Sequence, residues 1–411
     1  MSKQLVWEAY QRVKANDGAA GVDEQSIKEF ERDLKGNLYK LWNRLSSGSY
    51  FPAPVRAVDI PKADGQGVRV LGVPTMVDRI AQTVVRLYFD PKVEPMFHAD
   101  SYGYRPGRSA LQAVEACRER CWRTSWVIDL DIRAFFDSVD HELVLRGGTA
   151  THRQAVDPAV RGALVKAPLQ QQDGTLVARD RGTPQGSSIS PLLANLFLHY
   201  AFDTWMEKQF PTLRFERYCH DVVVHCTSEQ QALFVRDVIG RRLARCGLEL
   251  HPDKTRVVYC KDAKRRRGTY AHERFDFLGY TSRPRRSRNS KGQLWVNFSP
   301  AASDTAIKVK SRELRRWRLN LRSDQTLEDH AINSTVQGWI NYYGRFYRSR
   351  LYPLLRRINE YLVRWAQRKY KRLHRRDRRA MQWLARVYER VPDLFAHWRW
   401  GARPTWALGA E

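Results

Sequence analysis

The sequence is short of acid, of long apolar runs and of paired cysteines. Its 44 Asp and Glu face 71 Lys and Arg, a formal charge of +27 over 411 residues. An excess that large argues for a polyanionic partner. Composition by itself leaves nucleic acid and an anionic membrane both open. No apolar run reaches the roughly 18 residues that cross a bilayer. The opening Met1-Ser2-Lys3-Gln4-Leu5-Val6-Trp7-Glu8 carries acid early and has no signal-peptide core. The expectation is a cytoplasmic chain with no membrane partner, its polyanion being nucleic acid. The six cysteines, Cys117, Cys121, Cys219, Cys226, Cys246 and Cys260, form no Cys-x-x-Cys pair. That spacing disfavours a zinc site and favours scattered reduced thiols.

Internal repeats and low-complexity linkers are absent too. What is present is a globular hydrophobic content of 43%, in a chain long enough for two or three domains. Residues 1–50 read as helices broken by Asn16-Asp17-Gly18 and Ala20-Gly21-Val22-Asp23. Residues 55–61 alternate and end in Pro, a strand signature. Ile80 to Phe89 reads as a buried helix, residues 126–132 as a short strand, and residues 189–206 as one apolar helix. Phe215 to Cys226 reads as a hairpin. After about 300 only helical patterns remain. Leu351, Leu354, Leu355, Ile358, Leu362 and Trp365 recur at three- and four-residue steps as one apolar face. Arg356, Arg357, Arg364 and Arg368 lie on the other side. Lys369, Lys371 and Arg372 open a nearly all-cationic stretch to Arg379. A solvated face is one reading of these cations. Phosphate contact is the preferred one, because acids along the stretch are few and Tyr and Trp are interleaved for base stacking.

Asp129, Asp131, Asp137 and Asp140 cluster on one short strand and its exit. Strands avoid carboxylates unless something binds them. A second acidic strand-turn, Tyr218-Cys219-His220-Asp221, follows. Two such strands side by side suit hard divalent cations, and two ions can clamp the attacking and leaving oxygens of phosphoryl transfer. Between them runs Arg181-Gly182-Thr183-Pro184-Gln185-Gly186, whose glycines permit close backbone approach before a helix N-terminus.

In this order the residues resemble group II intron-encoded reverse transcriptases with maturase function. The resemblance is carried by Arg69-Val70-Leu71-Gly72-Val73-Pro74, Ser101-Tyr102-Gly103-Tyr104-Arg105-Pro106-Gly107, Asp131-Ile132-Arg133-Ala134-Phe135-Phe136-Asp137 and the Pro184-Gln185-Gly186 loop. His251-Pro252-Asp253-Lys254-Thr255, Phe275-Asp276-Phe277-Leu278-Gly279-Tyr280 and Gly338-Trp339-Ile340-Asn341-Tyr342-Tyr343-Gly344 extend it over about residues 5–375. It implies an α+β right-hand polymerase fold followed by an all-helical thumb. Fingers would occupy 1–125, the palm 126–285, the thumb or maturase domain 286–380 and a tail 381–411. It implies a two-ion Mg²⁺ site held by Asp131, the Ile132 carbonyl and Asp221, with His220 in the same box. Phe136 would screen the sugar 2′-OH, and Gln185 would touch the template or incoming nucleotide. Lys254 would sit near the triphosphate and Arg69 would clamp phosphate. Intron RNA, an RNA template with a DNA primer, and deoxynucleoside triphosphates would be the partners.

The chain departs from that pattern in three places. His220 stands where the family's Tyr-x-Asp-Asp box has its first Asp, so the expectation is lost or very low polymerase activity. Arg146 to Pro158 carries two Gly and a Pro where the family has an amphipathic helix. Codons allowed for Thr151 to Arg161, read one nucleotide later, can spell such a helix. Paired frame slips and a merely divergent loop are the two readings. Finally, no Cys/His cluster follows the thumb, so target-DNA cleavage is not expected. Besides the polymerase with maturase function, a splicing-only maturase and a decayed mobile-element copy with neither activity remain open.

Overall fold

A computed structural model describes residues 1–61, 67–144, 166–183, 186–265, 268–288, 292–322, 324, 326–328 and 332–405. Gln185 and the 146–165 segment lie outside the described residues, apart from the end of that segment's flank at Lys166. The chain forms two compact units, Met1–Tyr259 and Cys260–Glu411. The division falls ahead of the 285 expected from sequence, because residues 275–288 pair with a strand of the second unit.

The first unit opens with helices Lys3–Asn16, Ile27–Glu31 and Leu34–Ser46, capped by Ser2, Ser26 and Asp33. Strands β1 (Val55–Pro61) and β2 (Val68–Val73) pair antiparallel. The helix Met76–Val93 follows, capped by Thr75, and buries Ile80, Ala81, Val84 and Val85. After the helix Ala110–Arg123 comes β3 (Trp126–Asp131). Strands β4 (Leu169–Gln170) and β5 (Leu176–Val177) extend the first sheet. Strands β6 (Arg214–Tyr218), β7 (Asp221–Cys226) and β8 (Arg256–Tyr259) join β3 in a second sheet of order β6-β7-β3-β8, antiparallel throughout. Consecutive residues Val222, Val223 and Val224 are all buried. Both faces of this sheet are therefore covered, unlike a sheet with one wet side. The single helix expected over 189–206 is divided. A five-residue π turn, His199–Asp203, separates Ser190–Leu198 from Thr204–Gln209. The wide turn leaves Asp203 fully buried.

The second unit opens on a sheet of β9 (Phe275–Phe277), β10 (Tyr280–Arg288) and β11 (Leu294–Ala302), in the order β11-β10-β9. Leu278 and Gly279 both have positive φ, 50° and 78°, and make the two-residue turn that joins β9 to β10. The Gly338–Gly344 motif secures that turn: the Tyr342 hydroxyl donates to the Leu278 carbonyl at 2.8 Å, and the Tyr280 hydroxyl donates to the Tyr342 carbonyl. From Asp304 on, the unit is helical, as the loss of strand patterns anticipates. Leu354, Leu355, Ile358, Leu362 and Trp365 pack with Leu314, Phe395 and Trp398 in one core. Among the described residues no helix is long and apolar enough to cross a membrane.

Candidate active site

Strand pairing brings the two acidic segments together. Asp131 ends β3 and Asp221 begins β7, and they are direct cross-strand partners. Opposed side chains on one sheet face stand close, so two bare carboxylates there repel. Lys254 answers part of that charge, its Nζ 2.8 Å from Asp131 Oδ2. The turn carrying Lys254 is tied to the end of β3. His251 N–H donates to the Asp131 carbonyl at 2.8 Å, and Ile132 bridges Leu250. Burial pushes the Asp221 carboxyl up and Asp131 pushes it further, while His220 and Lys254 pull the other way.

The hairpin is tight. Tyr218 pairs with Asp221, which leaves Cys219 and His220 as a two-residue turn. Cys219 sits at φ 58°, the left-handed geometry such a turn needs at its first position. A Cβ on Gly103 would lie 2.5 Å from Cys219 N, so only glycine admits the turn there. Below it lies a buried network that sequence reading misses. Arg217, fully buried, donates to both carboxylate oxygens of Asp203 at 2.7 and 2.6 Å. It also donates to Ser101 Oγ at 2.8 Å, Asn195 Oδ1 at 3.1 Å and the Cys219 carbonyl at 3.2 Å. Asn195 in turn donates to the Gly103 carbonyl at 2.6 Å. Arg217→Leu strands the Asp203 charge and is expected to cost the first unit about 3–5 kcal/mol. Denaturant unfolding of the variant measures this.

His220 sits within this frame. One of its ring nitrogens and carboxylate oxygens of Asp131 and Asp221 lie within 4.8 Å of one another. The ring stacks on Phe135 at 5.8 Å and 17°, and Phe136 meets it edge-on at 5.8 Å and 81°. Its Nδ1 is buried with no hydrogen-bond partner. Phe136 is half-buried against the ring and Ile132 is buried. Burial pushes the Asp137 carboxyl and the Tyr104 hydroxyl up, and Arg69, exposed on β2, lies close enough to oppose both shifts in part. Gln185 lies outside the described residues, but its flanks are seated. Gly182 rests on Phe136 and Asp137, where a Cβ would meet backbone at 2.8 Å, and Gly186 rests on the Gly72 carbonyl at 2.7 Å. Asp131, His220, Asp221 and Lys254 thus converge, with Phe136 beside them. The cationic residues of 356–372 belong to the second unit.

A second buried cluster braces the same hairpin. His225 Nε2 and Glu216 Oε2 lie 2.7 Å apart, Arg120 reaches Glu216 Oε1 and Asp100 Oδ1 at 2.6 Å each, and Thr124 Oγ1 lies 3.3 Å from His225 Nδ1. Burial alone pulls the His225 imidazole down. The Glu216 carboxylate and the Cys121 thiol outweigh it and push the group up to about 10. A raised imidazole stabilises the fold fully below its unfolded value of about 6.5, and that contribution is lost as pH rises through about 10. The first unit is therefore expected to lose stability between about pH 6.5 and about pH 10. His225→Gln should remove most of that slope at a cost of about 3 kcal/mol near neutrality. Thermal unfolding across the pH range reads both effects.

An antiparallel sheet that sets two carboxylates opposite each other on neighbouring strands, with a lysine on one of them, has the chemistry of a divalent-cation site for phosphoryl transfer. Residues 60–282 match the family described as "Reverse transcriptase (RNA-dependent DNA polymerase)". Residues 307–389 match "Group II intron, maturase-specific domain". The chain belongs to the reverse transcriptase family, in its group II intron-encoded branch. It is 29% identical over 339 residues to "Protein YkfC" of Escherichia coli (strain K12), covering 71% of this chain and 84% of that one. It is 30% identical over 197 residues to "Group II intron-encoded protein LtrA" of Lactococcus lactis subsp. cremoris, covering 47% of this chain and 32% of that one. Among solved structures, telomerase from Candida albicans with a TWJ fragment of telomeric RNA aligns at a TM-score of 0.46 and 12% identity, covering 88% of this chain and 69% of that one.

Proposed function

We propose that this protein binds group II intron-type RNA through the basic side of its second unit, and that its RNA-directed DNA polymerase step is strongly impaired by His220. The observation that carries the impairment is His220 itself, set among Asp131 and Asp221 with a buried, unpartnered Nδ1. The family's Mg²⁺ takes oxygen ligands in near-octahedral geometry, and an imidazole nitrogen does not fit that set. Two carboxylates remain where the family has three, and one of them is already paired to Lys254.

The remaining roles are those the family resemblance implies. Asp131 and Asp221, with the Ile132 carbonyl, would hold the divalent cations, and Lys254, which pairs with Asp131, would meet the triphosphate of an incoming deoxynucleotide. Phe136 screens the sugar edge, Arg69 clamps phosphate and Gln185 contacts the template or incoming base. An RNA template and a DNA primer complete the substrate set. A splicing-only maturase is the second reading. It is favoured by Arg356, Arg364, Arg368, Lys371 and Arg372, which are exposed and have no carboxylate partner among the described residues. RNA binding needs those cations and no carboxylate site.

Primer extension and splicing of a structured group II intron RNA, run on the native chain and on His220→Asp, test the proposal. Expected are splicing by both proteins and Mg²⁺-dependent extension by the variant alone. Strong extension by the native chain in Mg²⁺ overturns the impairment. Failure of RNA binding and splicing by both overturns the RNA-binding reading and leaves a decayed copy.

A further inference from the structure

We infer that Asp131, Asp221 and His220 form a one-nitrogen, two-carboxylate seat that takes a first-row transition-metal dication of the Mn²⁺ kind in preference to Mg²⁺. The inference rests on reading this cluster as the polymerase's cation site.

Three observations converge on it. First, the three donors already lie within 4.8 Å of one another on two paired strands and the turn beside them. An ion at ordinary bond lengths of about 2.0–2.3 Å spans such a set with only small side-chain movement. Second, the imidazole is held in place. Phe135 lies parallel to it, Phe136 closes one edge, and the turn that bears it is pinned by Gly103 and by Arg217 on the Cys219 carbonyl. Third, the buried Nδ1 has no partner. Within this set, Lys254 pairs directly with Asp131 alone, and its side chain is 63% exposed and free to swing aside.

The donor set then selects the ion. Carboxylates accept Mg²⁺, Mn²⁺ and the later dications alike, whereas imidazole favours first-row transition metals. Mg²⁺ also dehydrates reluctantly and prefers oxygen. One histidine exchanged for one aspartate therefore weakens Mg²⁺ most and costs Mn²⁺ least. The other described cluster of metal-binding types, Cys117, Glu216 and His225, differs in kind. There the imidazole and carboxylate already satisfy each other and have Thr124 and Arg120 as outer partners.

The test uses the full chain freed of metal by chelation and titrated with Mn²⁺, with the free ion followed by electron paramagnetic resonance. The expected result is saturable binding that is at least about tenfold tighter for Mn²⁺ than for Mg²⁺ in competition. Pulsed measurements on the bound Mn²⁺ should show coupling to an imidazole nitrogen. His220→Asn should lose that coupling and most of the affinity. His220→Asp should bring Mg²⁺ to near parity, and His225→Gln should leave Mn²⁺ binding unchanged. Absence of Mn²⁺ binding, parity with Mg²⁺ in the native chain, or bound Mn²⁺ without nitrogen coupling overturns the inference. The nitrogen coupling is read on the native protein, so it decides the matter even where His220→Asn fails to fold. Nitrogen-coupled Mn²⁺ without primer extension in any ion would leave the seat standing and remove the polymerase reading. Extension in Mg²⁺ without Mn²⁺ binding would do the reverse.

Discussion

His220→Asp raises primer extension in Mg²⁺ by about 10³-fold over the native chain, the equivalent of about 4 kcal/mol of transition-state stabilisation. The size follows from what the substitution changes. It restores a third carboxylate between two that are already aligned across β3 and β7. It replaces a ring whose Nδ1 is buried without a partner by a short acid that prefers a cation or water. The scaffold needs no rebuilding: the turn geometry rests on Cys219, Gly103 and Arg217, none of which the change touches. Some packing against Phe135 and Phe136 is lost, so a modest fall in stability accompanies the gain. Steady-state extension on a primed RNA template, with single-turnover rates to separate chemistry from binding, measures the effect. An unchanged rate in a folded variant would mean that the defect lies elsewhere in the chain.

How much of this was legible in the sequence differs from element to element. The run 126–130, apolar but for Asp129, and the valines of 222–224 read as strands because both faces of their sheet are largely buried, so no regular polar alternation marks them. The opposition of Asp131 to Asp221 was only an inference, because register is a property of paired strands and not of either one. Arg217 and Asp203 were invisible for a related reason. They are 14 residues apart in separate elements, and each alone looks like an ordinary surface charge. The one sign of Arg217 was its place in a strand otherwise flanked by buried residues. The π turn at 199–203 was read as plain helix, since no Gly or Pro among these five residues marks a break. The division into units after Tyr259 has no mark in the sequence, because β9 and β10 continue a strand-rich pattern that gives no hint of which neighbour they join. His220 was legible as an identity. Its stacking on Phe135 and its orphaned nitrogen belong to the fold.

Replacing Arg356, Arg364 and Arg368 together by Gln lowers affinity for structured RNA by about 10²-fold at low salt, and reduces the slope of log affinity against log salt by about 2–3. These residues project from the side of the helix Tyr352–Lys369 that faces away from its apolar core. They are exposed and lack carboxylate partners among the described residues, so their charge is available to phosphate. Arg356 and Arg364 also lie over the rings of Tyr352 and Tyr361, at 5.8 and 5.3 Å, which limits the entropy lost on binding. The same geometry separates a specific contact from bulk charge. Arg357 is half-buried and donates to Ser311 Oγ at 3.2 Å, so Arg357→Gln should change the slope much less. Glu360, the single acid of that helix, lies among the arginines, and Glu360→Gln should strengthen binding. Were the chain's net charge alone responsible, each arginine would count equally. Binding titrations at several salt concentrations therefore distinguish a built RNA-binding face from a protein that is merely basic.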